Sequence, residues 1–191
     1  AQSQNAAFLT VDGQAAFAHY ASLLAAGLRT RLSKVTQQNA VLVSLQNEFS
    51  LQGDQYPFNS LHNISVTLGD GIKYDMSSAS QRQQAADANT NLWAKTARAL
   101  VRASLPTTLV TVGVFTFHAV HKSGPNGLLK PDGSLCISVK GAVDCRYPAR
   151  PVWLAKAGLD FLDVYIYQRG GSPSVLAANL ATEEWTRIDQ H

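Results

Sequence analysis

At 191 residues the chain has the length of one domain. Apolar residues make up 46% and charged residues only 15%, which supports a buried core and excludes a disordered tail. Sixteen Lys and Arg against thirteen Asp and Glu leave a formal charge of +3, too mild to argue for nucleic acid by itself. The acids are ten Asp and three Glu (Glu48, Glu183, Glu184), so Gln, Asn, Ser and Thr supply most of the polarity. Such a neutral surface suits a protein that packs against copies of itself or works outside the cell.

No stretch reaches the ~18 continuous apolar residues of a membrane span. The richest, residues 15–32, is interrupted by His19, Gly27, Arg29 and Arg31. No basic segment precedes an apolar run, so a secretory leader is not visible. The start Ala1-Gln2-Ser3-Gln4 fits either signal-peptide cleavage or loss of an initiator Met.

Taken in order, the first third reads as helix. Phe17, Tyr20, Ala21, Leu24, Leu28, Leu32 and Val35 recur at i, i+3, i+4 and i+7, and Leu42, Leu45 and Phe49 continue the pattern. The expectation is one helix over about 14–51, or two abutting near Ser33, stopped by Gly53-Asp54. Phe17, Tyr20, Leu24 and Leu28 form its apolar stripe and are the candidate assembly face. Ile64, Val66 and Leu68 alternate with Ser65 and Thr67, which predicts a half-buried strand. Ser77 and Ser78 can cap a second helix to about residue 103, with Leu92, Trp93, Ala97 and Leu100 inward and Pro106 beyond it.

The segment 109–120 is apolar on both faces and belongs in the middle of a sheet, with Gly113 marking a bulge or a close approach. A Pro131-Asp132-Gly133 turn leads to a strand at 135–139. A short helix at 152–157, a strand at 161–167 and a last helix capped at Ser172-Pro173 and ending near Trp185 complete the chain. The predicted class is α+β: helices in the first half packed on an antiparallel sheet drawn mainly from the second.

Cys136 and Cys145 match neither Cys-x-x-Cys nor a zinc spacing. A strand and a Gly141 turn lie between them, able to bring their Cβ atoms to disulfide distance. A bridge there places the protein in an oxidising compartment; two buried thiols are the alternative. His118 and His121 are the most enzyme-like pair, but three residues apart on a strand they face opposite ways. No Gly-x-Ser-x-Gly, His-Glu-x-x-His or Gly-rich phosphate loop is present, so no catalytic residue, metal or cofactor is assigned. Asp160 and Asp163 read as turn and capping residues. Lys95, Arg98 and Arg102 make a basic stripe on the second helix, a candidate phosphate contact whose plainer reading is a solvated helix face.

The run Leu42, Leu45-Gln46-Asn47-Glu48-Phe49 into Gly53-Asp54-Gln55-Tyr56-Pro57 resembles type IV pilins and pseudopilins, over about a third of the chain. In that family a long N-terminal helix ends in a Gly-x-Tyr-Pro passage, followed by a loop, an antiparallel sheet and a C-terminal disulfide. The chain departs from the family in lacking its apolar N-terminal span with an early Glu, and in the 46 residues that follow Cys145. The resemblance implies subunit packing. The expected function is a non-catalytic structural subunit outside the reducing cytosol, in a pilus-type filament or as a viral or phage coat protein. Its partners are copies of itself or a partner subunit, with nucleic acid only in the coat form. The alternative is a small secreted enzyme using His118 or His121 as acid or base.

Overall fold

The computed structural model describes residues 3–60, 65–115, 136–139, 141–165 and 174, and the statements below concern these. Ala6–Leu9 forms a single-turn helix (α1), and the chain turns at Thr10, whose side chain accepts from the Gly13 N–H and caps α2, Val11–Arg31. At Gly13 the two helices nearly touch. A Cβ built there would lie 1.8 Å from the Ala6 carbonyl oxygen, so only glycine fits.

Helix α2 stops at Leu32, well short of the expected 14–51 span, and only the five-residue α3, Val35–Asn39, follows. The remainder is extended: β1 is Leu42–Ser44 and β2 is Leu51–Gln52. The reason lies in the period. Leu42, Leu45 and Phe49 are spaced as on a helix, yet Val43 and Leu45 are buried while Leu42 and Ser44 are exposed, an alternation of two.

The short strands β3, Ser65–Thr67, and β4, Lys73–Asp75, pair antiparallel, with Val66 inward as its alternation predicts. Ser78 then caps the longest helix, α4, Ala79–Ser104, matching the predicted boundaries. Trp93 and Ala97 are fully buried on its inner face, and Leu92 and Leu100 half-buried. Trp93 stacks on Phe49 at 5.2 Å and takes the edges of Phe8 at 4.9 Å and Phe17 at 5.1 Å. These rings pack α1, α2 and α4 around Phe49, which bridges to Val114. No helix among the described residues is long and apolar enough to cross a membrane.

The predicted central strand is real but divided into β5, Leu109–Thr111, and β6, Gly113–Phe115; residues 116–120 lie outside the described ones. Val110, Val112 and Val114 are buried, as two-sided apolar character requires. β5 pairs parallel with β1, and β6 parallel with β10, Asp163–Tyr165. These two parallel pairs depart from the antiparallel sheet expected mainly from the second half. Parallel pairing needs a long crossover, and α4 supplies one between β1 and β5. Gly113 marks a close approach, since the Tyr165 ring passes 2.5 Å from where its Cβ would be.

Antiparallel pairing holds elsewhere: β7, Ile137–Val139, with β8, Ala142–Asp144, and β9, Arg146–Tyr147, with β2. Asn5 seals the β2 edge from the far side, donating to the Gln52 carbonyl at 2.8 Å and accepting from its N–H at 2.7 Å. Helix α5, Pro151–Lys156, begins on a proline and matches its expected place. Helices and short strands thus combine in a mixed α+β fold around one apolar cluster. The predicted strand residue Leu135 and the last helix lie outside the described residues, apart from a helical Ser174.

Candidate functional site

Three clusters concentrate chemistry, and each begins from sequence choices already seen. The first is the hairpin of β7 and β8. Its ladder pairs Ile137 with Asp144 and Val139 with Ala142, and Gly141, between the strands, takes φ +83°. Extending the register by one pair sets Cys136 opposite Cys145, and the two are bonded, with Cα atoms 4.1 Å apart. The Cys145 carbonyl accepts from the Gly53 N–H at 2.7 Å, which ties the bridge to the end of β2. Asp54 lies close to both sulfurs, but bonded sulfurs do not ligate a metal.

Closing so short a loop is worth about 2–3 kcal/mol on the chain-entropy model. Cys136→Ser is therefore expected to lower the Tm by roughly 5–10 °C without abolishing the fold, read by calorimetry. Thiol titration of the denatured, unreduced wild type should find no free thiol.

The second cluster is basic. Lys95 is exposed on α4, while Arg98 and Arg102 turn onto one carboxylate, Asp160, at 3.7 and 2.6 Å. Asp160 also accepts from the Val110 N–H at 2.7 Å, so it ties α4 to the start of the central strand. The three predicted phosphate-contact residues are thus not one free stripe. Burial alone would raise the Asp160 carboxyl, but the Val110 N–H and the Arg102 and Arg98 guanidinium groups outweigh it and hold it below its ordinary value. A depressed carboxylate contributes stability that is complete above the unfolded value of about 4 and lost as pH falls through the folded one. Asp160→Asn is expected to lower the Tm at neutral pH and to flatten its fall on acidification, measured as Tm against pH.

The third is buried. Gln83, Ala86, Asp87 and Thr90 share one face of α4, and Tyr147, Arg150 and Trp153 close over them around a cavity of about 10 Å³. That admits roughly one water molecule and no organic substrate. Asp87, 4% exposed, accepts from Nε and Nη2 of Arg150 and from the Gln83 amide at 3.0 Å. Burial pushes its carboxyl up, against the hydrogen bond and charge of Arg150. With both oxygens engaged the pair is a clamp between α4 and α5, not an acid–base centre. Oε1 of Gln83 and Oγ1 of Thr90 have no hydrogen-bond partner among the described residues.

The fourth feature is a surface. The expected assembly face on α2 is split: Phe17 and Leu28 pack against the core, whereas Tyr20 is 58% and Leu24 37% exposed. Leu23, which the periodic reading passed over, is 61% exposed. Ala21 and Ala25 are the buried residues of the helix. The missed signal was present as doublets, Ala15-Ala16 and Leu23-Leu24 followed by Ala25-Ala26, which put apolar groups on both faces at once. His118 and His121 lie outside the described residues. No protein-family model, curated protein or solved structure matches this chain.

Proposed function

We propose that this chain is a non-catalytic structural subunit that assembles with copies of itself in an extracellular filament or particle. The observation that carries the reading is helix α2, apolar on its outer as well as its inner side, with Tyr20, Leu23 and Leu24 facing solvent. A grouped apolar surface of this kind marks an interaction site. The disulfide adds support for an oxidising location, periplasmic, extracellular or on a virion surface.

A pilus-type subunit is preferred over a coat protein. The coat reading needs cations for nucleic acid, and Asp160 already engages two of the three basic residues on the α4 stripe. Light scattering over a concentration series tests assembly. The reading requires a mass that rises above the 20.6 kDa of one chain. A strictly monomeric protein at high concentration would overturn it, and co-purifying nucleic acid would favour the coat form.

A further inference from the structure

Asp12, Ala16, Tyr20, Leu23, Gly27 and Arg31 are all exposed on α2. At 100° per residue they fall within an arc of about 100°, so they make one stripe along the helix. Their spacings, 4, 4, 3, 4 and 4, read the same in either direction. The chemistry has the same symmetry with opposite sign: an acid in the first turn, a base in the last, small residues next, and the two large side chains at the centre. Neither Asp12 nor Arg31 joins an ion pair among the described residues. The open surface at Gly27 has no atom within 4 Å of where a Cβ would stand.

We propose that two copies of the chain pair α2 against α2, antiparallel, about a two-fold axis passing between Tyr20 and Leu23. It rests on the assembly reading above and specifies its interface. In this arrangement each residue meets the one equally far from the axis in its partner. Asp12 meets Arg31, Ala16 meets Gly27, and Tyr20 meets Leu23, each contact occurring twice as an isologous interface requires. Ala16 and Gly27 let the backbones approach closely, and Tyr20 and Leu23 fill the centre. The antiparallel helix dipoles add attraction, with each N-terminus beside a C-terminus. A parallel pairing would instead put Asp12 against Asp12 and Arg31 against Arg31. Charge thus selects the direction.

The two charges lie about 28 Å apart along one helix, so they cannot pair within a chain. This makes a charge swap decisive. Sedimentation analysis of the full chain at moderate salt would compare wild type, Asp12→Arg, Arg31→Asp and the double variant. Each single change is expected to weaken self-association about tenfold or more, and the double change to restore it. Leu23→Lys, which sets a charge against the partner's Tyr20 on each side of the axis, should weaken it about a hundredfold. All three positions are exposed, and circular dichroism confirms that each variant is folded. A wild type that associates with no response to the charges, whether or not Leu23→Lys acts, overturns this interface and leaves the assembly reading standing. A wild type that never associates overturns both.

Discussion

Arg150→Met is expected to cost about 3–5 kcal/mol of folding stability, because it strands a buried carboxylate. Asp87 is 4% exposed and takes both its strong hydrogen bonds from the Arg150 guanidinium, leaving only the Gln83 amide if that group is removed. The penalty comes from the orphaned charge rather than from the lost attraction, and two consequences separate these causes. Removing both charges, as in Asp87→Leu with Arg150→Met, should recover most of the loss, since an apolar pair of similar volume carries no desolvation cost. Acidification should also shrink the deficit of the single variant. With Arg150 gone, burial faces only the Gln83 amide and the Lys156 charge and raises the Asp87 carboxyl further, and a raised carboxyl binds its proton in the folded state before the unfolded chain does. The folded form therefore gains on the unfolded one as pH falls through that raised value. Urea unfolding at several pH values reads both effects. A single-variant loss under about 1 kcal/mol would mean the clamp contributes little.

Gly13→Ala should destabilise by about 3 kcal/mol, at the upper end for overpacking, although glycine to alanine in a helix ordinarily stabilises by up to ~1 kcal/mol. The added Cβ would lie 1.8 Å from the Ala6 oxygen, 2.5 Å from its carbonyl carbon and 2.9 Å from the Ala7 Cα. All three are backbone atoms, so relief requires moving α1 as a unit. That helix carries Phe8 and Leu9, both buried, and Phe8 sits edge-on to Phe49 and Trp93. The clash thus reaches the aromatic centre of the core. Gly27→Ala is the matched control: the same substitution in the same helix, with open space around it, should be neutral or stabilising in dilute solution. Thermal unfolding of the two variants side by side should show opposite signs.

What was readable in the sequence depended on whether one local signal was unopposed. Helix α4 was, because Ser78 caps it, no proline interrupts it and its apolar residues hold a single period. The disulfide hairpin was too, since Gly141 and the alternation around it fix the register that sets Cys136 opposite Cys145. Residues 35–51 misled because Leu45 and Phe49 fit both periods, whereas Leu42, exposed on β1, fits only the helical one. Long-range pairing of β1 with β5 decided between them, and no local pattern records a partner 67 positions away, as Leu42 to Leu109. The same limit hid the ion pairs. Nothing near Asp87 or Asp160 announces Arg150 or Arg102, which arrive through tertiary folding. The α2 surface was half legible: its helix was plain, but which apolar face turns inward depends on where α4 lies. Ala21 and Ala25, being small, allow the close packing and leave the larger Leu23 and Tyr20 outside.

Hydroxyl-radical footprinting of Tyr20 and Leu23 at low and high protein concentration tests the central claim most directly, namely that the outer face of α2 is covered by another copy. Tyr56, 42% exposed and remote from the stripe in sequence, serves as the reference within each sample. The account predicts that oxidation of Tyr20 and Leu23 falls severalfold relative to Tyr56 as the protein associates. Equal oxidation of Tyr20 and Leu23 in the dilute and the associated protein would contradict it.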